Sequence, residues 1–178
     1  MQQPAWQTKS SKIVHQNPWY KIRQDTVIRP DGKPGTFNVI EDANAVFVIA
    51  ITDENKIIFI KLFRYPTQME SWEIPAGGIE PGEDELTAAK RELQEETGMT
   101  ARSWQNLGRI QVNNSKNTAI GTVFVCRDLK NGSDHEQAEE GITHMTEFTL
   151  DEVKAMIAGD EITDASTLAP LLKYIVAS

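Results

Sequence analysis

At Pro75-Ala76-Gly77-Gly78 the chain changes its period, and that change limits the folds open to it. Upstream, Ala45–Ile51 is almost wholly apolar and β-branched, as a strand buried on both faces would be. Asp53-Glu54-Asn55 marks a turn and Lys56–Phe63 reads as a second strand, so the two predict a central hairpin. Downstream, Asp84–Thr97 is rich in good helix formers. Leu86, Ala89 and Leu93 form one stripe there, and Gly98 is placed to end the helix. Strands, a glycine turn and then an amphipathic helix call for a sheet on which the stripe can pack.

The rest of the chain extends this pattern. Lys12–Ile40 reads as short strands: Asp25–Arg29 holds β-branched residues, Pro30–Gly35 is a strong turn signal and Thr36–Ile40 alternates, predicting an antiparallel hairpin or meander. Ile110–Val112, Gly121–Arg127 and Met145–Leu150 read as further strands, and helices are expected near Leu150–Ala158, stopped by Gly159, and near Ala165–Val176. The expected class is α/β, a mixed sheet with helices on both faces and a small N-terminal antiparallel β extension. A chain of 178 residues can bury one such core. The predicted division is an extension over 1–42 and a main domain over 43–178.

Charge excludes some partners. The formal net charge of −8 disfavours nucleic acid, which needs a basic face against its phosphates. It does not disfavour a small phosphate substrate, since a divalent cation can supply positive charge locally. No run is long and apolar enough to span a membrane, and Met1–Trp6 lacks the basic-then-apolar pattern of a signal peptide, so a cytoplasmic location is expected. The single cysteine, Cys126, lies in the apolar run Gly121–Cys126; it reads as a buried strand residue, not a catalytic thiol.

The chemistry is concentrated in the helix. Residues three and four apart share a helical face, so Glu92, Glu95 and Glu96 converge on one patch beside the apolar stripe. Taken alone, such a patch is more often a solvated acidic face than a site. The flanking order reverses that weighting. The glycine turn lets backbone approach a ligand closely, and Glu83 and Arg91 can pair across loop and helix to fix the carboxylates. Carboxylates crowded this way suit a hard cation such as Mg²⁺, which takes one or two of them with waters and substrate phosphates.

Gly77, Glu83 and Arg91-Glu92-Leu93-Gln94-Glu95-Glu96-Thr97-Gly98-Met99 resemble the complete Nudix box. Phe63-Arg64-Tyr65-Pro66, Trp72–Gly78 and Gly159–Ala165 are similar to the branch that contains ADP-ribose pyrophosphatases and related nucleotide-sugar hydrolases. The resemblance implies a Nudix-like α/β/α sandwich. It also implies Mg²⁺-dependent hydrolysis, with Mn²⁺ as a substitute, of the pyrophosphate in a nucleoside diphosphate sugar such as ADP-ribose or GDP-mannose. The products would be a nucleoside monophosphate and a sugar phosphate. ADP-ribose alone is not singled out, because Val112–Ala119 lacks the proline that ADP-ribose pyrophosphatases usually carry beyond the box. The alternatives are a Nudix hydrolase of dinucleoside polyphosphates or modified nucleoside triphosphates, and a non-catalytic nucleotide-binding regulator.

Carried over by residue, the resemblance makes Glu92, Glu95, Glu96 and the Ala76 carbonyl metal ligands, with Gly77, Arg91 and Gly98 structural in the box. The general base would come from the acidic stretch Ser133–Ile142, with Glu140 first and Glu139 second; Glu95 activating water, or Glu83 assisting, is the alternative. Arg64 is a candidate phosphate clamp, because guanidinium binds phosphate oxygens in pairs. Glu73 is a candidate acceptor for base or ribose. Trp19 and Tyr20 could stack on a base, although packing within the extension or in a dimer is the more ordinary role for such residues. The branch implies a homodimer built through the N-terminal sheet.

Overall fold

The computed structural model describes residues 5–132, 137 and 141–177. It divides into two compact units, one holding the chain up to Ala43 together with Gln111–Ile120, the other Asn44–Ile110 and the chain from Gly121 onward.

The first unit is a meander of three antiparallel strands, β1 (Gln7–Gln16), β2 (Tyr20–Ile28) and β3 (Pro34–Asp42), in that order across the sheet. The expected turn over Pro30–Gly35 joins β2 to β3, with Gly32 at φ 78°, where a glycine costs least. Asp25 on β2 is buried and held by Arg23, which also reaches Glu41 on β3. The pairing with Arg23 lowers the pKa of Asp25. Residues 111–120 join this unit through Ile40, whose N–H donates to the Lys116 carbonyl at 2.7 Å and whose own carbonyl accepts from Thr118 at 3.0 Å.

Among the described residues, the second unit holds two sheets and three helices. Its strands are β4 (Ala45–Ala50), β5 (Ile57–Arg64), β6 (Met69–Glu73), β7 (Ala76–Gly78), β8 (Met99–Gln111), β9 (Ile120–Asn131) and β10 (Ile142–Phe148). The helices are α1 (Glu85–Thr97), α2 (Leu150–Ala158) and α3 (Ala165–Ala177). One sheet runs β7-β4-β9-β8, with β4 parallel to β9 and antiparallel to β7; the other runs β10-β5-β6. The predicted β4–β5 hairpin is therefore corrected. Both edges of β4 are occupied by β7 and β9, and β5 meets it through an isolated bridge between Ile51 and Ile57.

Side chains alternate across a strand, and β4 uses both faces. Val46, Val48 and Ala50 pack with Ala88, Ala89 and Leu93 of α1, together with Phe124 and Cys126. Phe47 and Ile49 face the other way, with Ile51 beyond the strand end, into a core shared with Val153 and Met156 of α2, Ile162, and Leu171 of α3. Helices thus cover both faces of the mixed sheet, the α/β/α sandwich that was expected. Leu93 is fully buried, so truncating it to alanine costs about 2–5 kcal/mol. Cys126 is likewise fully buried on β9, and burial pushes its thiol pKa up to about 12.

Helix α1 starts and stops where its sequence says it should. The Asp84 side chain accepts from the N–H groups of Leu86 and Thr87, each at 3.0 Å. Gly98 adopts φ 70° and returns its N–H to the Gln94 carbonyl at 2.7 Å. Strand β8 is far longer than the expected Ile110–Val112. Most of its residues are exposed or half-buried and polar, so apolar alternation could not reveal them.

Candidate active site

The site is assembled around Arg91. Its Nε and Nη2 donate to the two carboxylate oxygens of Glu83, each at 3.1 Å. Nη2 also donates to the Gly78 carbonyl, and Nη1 to Glu92 Oε1 and Glu95 Oε2, each at 2.8 Å. One guanidinium therefore joins the glycine turn, the loop before the helix and two helix carboxylates. The planar fork of arginine permits this; a lysine ammonium could not span it. Glu83 holds the Arg91 pKa up, and Arg91 in turn lowers that of Glu83.

Glu92 and Glu96 are both buried, one turn apart on α1. Glu96 Oε2 accepts the Ala76 N–H at 2.9 Å. Glu92 lies directly against Gly77, where any Cβ would overlap its carboxylate. A Cβ at 77 would thus force the Glu92 carboxylate to shift, whereas a Cβ at 78 would meet nothing within 4 Å. The half-buried Glu95 lies beside Arg91.

These residues suit a hard cation in donor chemistry but do not form a ready cage. Among the described residues, no three His, Cys, Asp or Glu side chains are grouped to hold an ion. Mg²⁺ does not require such a cage, since it keeps several waters and takes substrate phosphates as ligands. A cradle of carboxylates and backbone that excludes a Cβ is a fitting place for it.

Arg64, at the end of β5, donates from Nε to Glu73 Oε1 at 2.9 Å and from Nη2 to Glu73 Oε2 at 2.6 Å. Its Nη1 makes no hydrogen bond among the described residues. Glu73 is 6% exposed and both its oxygens accept from Arg64, so it orients the guanidinium. Hydrogen bonding to Glu73 raises the Arg64 pKa, with further contributions from the charges of Glu96 and Asp164. Arg64, Met69, Glu70, Glu73, Thr163 and Asp164 line a cavity of about 400 Å³.

The structure brings Ala76, Gly77, Glu83, Arg91, Glu92, Glu95 and Glu96 together, and it pairs Arg64 with Glu73, just upstream of Ala76 in the chain. Gly98 caps the helix. Glu139 and Glu140 lie outside the described residues. Trp19 is 77% exposed in the turn between β1 and β2, so it does not pack within the extension; its backbone N–H bonds to Asn17 Oδ1. Tyr20 instead lies 5.7 Å from the His15 ring. Sequence reasoning missed Asp164 and Gln137. Asp164 has a signal in hindsight, since its side chain accepts from Thr167 N–H as helix-starting Asp residues do. Gln137, which donates to the Glu96 carbonyl, has none.

Residues 42–169 match a family model described as the NUDIX domain, and residues 6–40 match one described as the nucleoside diphosphate sugar hydrolase N-terminal domain. The chain is 34% identical to an ADP-ribose pyrophosphatase of Bacillus subtilis, an alignment covering 82% of this chain and 79% of that protein. It is also 34% identical to a methanol dehydrogenase activator of Bacillus methanolicus, covering 83% and 80%. A crystal structure of an ADP compounds hydrolase superposes with a TM-score of 0.83 over 95% of this chain and 91% of the other; at 20% identity this shows a shared fold.

Proposed function

The chain belongs to the Nudix family, and on that premise we propose that it is a pyrophosphohydrolase that uses Mg²⁺ to cleave the diphosphate bridge of a nucleoside diphosphate sugar. The observation that carries this reading is the carboxylate cluster, in which Arg91 joins Glu83, Glu92 and Glu95 while Glu96 accepts the Ala76 N–H. Arg64, held by Glu73 just upstream of Ala76 in the chain, adds a cation suited to phosphate, and a diphosphate needs both kinds of group. The N-terminal match to nucleoside diphosphate sugar hydrolases and the relative named ADP-ribose pyrophosphatase support the substrate class.

Glu92, Glu95, Glu96 and the Ala76 carbonyl would hold the metal. When bound, the ion supplies electrophilic pull on phosphoryl oxygens and makes water a better nucleophile near neutral pH. Arg91 and Glu83 fix the carboxylates, while Arg64, oriented by Glu73, offers its remaining donors to a phosphate. Water attacks one phosphorus, the bridging P–O bond breaks, and a nucleoside monophosphate and a sugar phosphate leave. Glu140, or Glu139 next to it, takes the proton from the attacking water. The 400 Å³ cavity, with carboxylates and the Thr163 hydroxyl in its wall, suits the hydroxyl-rich end of such a substrate. A homodimer through the N-terminal sheet belongs to the same proposal.

The relative named a methanol dehydrogenase activator favours a second reading, a regulator of another enzyme. The complete set Glu92, Glu95 and Glu96 supports chemistry over binding alone. The test is monophosphate release from ADP-ribose, GDP-mannose, ADP-glucose and a dinucleoside polyphosphate, with and without Mg²⁺. Turnover of the sugars is expected. Nucleotide binding without turnover of any of them would establish the regulator, and turnover confined to the polyphosphate would move the substrate class. Glu96→Gln removes charge and little volume, so turnover should fall by orders of magnitude while the fold survives. Near-wild-type turnover of that variant at limiting Mg²⁺ would rule out Glu96 as a ligand.

A further inference from the structure

We propose that Gln137 is a positioning residue for Glu96, acting on metal affinity without touching metal or substrate. The last carbonyls of a helix have no partner within it. In α1 the Gln94 carbonyl is taken by Gly98 N–H, and no basic side chain lies in the last turn. The Glu96 carbonyl is instead taken by Gln137 Nε2 at 3.0 Å, from a residue 41 positions further along the chain. Gln137 is itself tied down, because its own carbonyl accepts the N–H of Ile142 at 2.9 Å, the first residue of β10. Just past β9, Gly132 N–H donates to the Gly98 carbonyl at 2.6 Å.

The end of the glutamate helix is thus fastened from outside at two points, one just past β9 and one just before β10. Glu96 in particular is held from both directions, its carboxylate by Ala76 N–H and its backbone by Gln137. Outer partners of metal ligands commonly set ligand direction. Without the Gln137 bond the carboxylate keeps Ala76 and the helix end keeps its Gly98 cap and Gly132 bond, but the Glu96 backbone loses the contact that fixes it from outside. Neither box residues nor helix propensity supplies this contact.

The inference rests on the proposed metal role of Glu96, and the test separates the two. Mn²⁺ affinity is measured on substrate-free protein by electron paramagnetic resonance for the wild type, Glu96→Gln, Gln137→Ala and Gln137→Lys. Gln137→Ala should weaken Mn²⁺ binding by about 10-fold and raise the Mg²⁺ concentration for half-maximal rate by the same factor. The KM for the nucleotide sugar at saturating Mg²⁺ should not change. Gln137→Lys should restore Mn²⁺ affinity, since an ammonium donates to the same carbonyl and suits a helix C-terminus. If Gln137→Ala does not fold, Gln137→Glu, which sets a carboxylate against the carbonyl, must weaken Mn²⁺ binding in the same way. Wild-type Mn²⁺ affinity in Gln137→Ala, or in Gln137→Glu where that substitutes for it, would overturn the role of Gln137 so long as Glu96→Gln abolishes binding. Unchanged affinity in Glu96→Gln would overturn the metal reading itself.

Discussion

Gly77 and Gly78 are neighbours in the same short strand, yet the same added methyl group should have opposite consequences at the two positions. At 77 a Cβ falls among the carboxylate atoms of Glu92, while at 78 it meets nothing within 4 Å. The backbone at 77 cannot readily withdraw, because β7 is paired to β4 with Gly77 opposite Val46. Glu92 must therefore move, and it is 8% exposed and bonded to Arg91 at 2.8 Å. Overpacking of this kind costs about 1–3 kcal/mol. For a chain of this size that is a fall in Tm of roughly 2–12 °C, at about 2–4 °C per kcal/mol. Displacing Glu92 should also cost about 10-fold or more in turnover, as losing the support of a metal ligand does. Gly78→Ala should be neutral or stabilising by up to about 1 kcal/mol, because it restricts the unfolded chain. Thermal melts and Mg²⁺-dependent monophosphate release from a nucleotide sugar, run on both variants, decide the matter. Equal behaviour of the two variants, or wild-type melting and turnover in Gly77→Ala, would refute the argument.

Other perturbations test separate parts of the structure. Glu83 has its pKa lowered by Arg91, so its contribution to stability is complete above the ordinary glutamate value of 4.5 and is lost as pH falls through the lower folded-state value. Urea titrations from pH 7 to pH 3 should show that loss in the wild type and a shallower one in Arg91→Met; parallel curves would remove the pair from the account. Cys126, with its thiol pushed up to about 12, should resist a disulfide reagent at pH 8 until urea unfolds the chain; rapid labelling of the native protein would contradict its burial. Glu140→Gln should slow single-turnover cleavage far more than it weakens nucleotide binding, and an intact rate beside a crippled Glu139→Gln would shift the base by one residue.

The second unit was legible where one local rule governed it. Helix α1 could be bounded from Asp84 and Gly98, because capping and left-handed termination are local properties. The carboxylate patch followed from helical spacing, and the Glu83–Arg91 pairing from complementary charge across one short loop. What escaped depended on distant partners. Nothing in Ala45–Ile51 says that β9 and β7 will take both its edges, so the nearest strand was wrongly assigned as its partner. Strand β8 was mostly invisible because its residues are half-exposed, and a polar strand in contact with solvent has no apolar period. The pairing of Glu73 with Arg64, nine positions earlier, also escaped, because sequence alone does not show that two strands bring them together. Gln137 carries no local signature, since a glutamine in a polar stretch has many possible partners.

The alternation along β4 has a consequence for substitution. Val46, Val48 and Ala50 support the glutamate helix, whereas Phe47, Ile49 and Ile51 belong to the core that holds Ile162, next to the Thr163 and Asp164 that line the cavity. A single strand therefore divides the core of the second unit in two, so that a substitution on one face leaves the packing of the other in place. Change on one face can reshape the cavity while the other face keeps the glutamates in register.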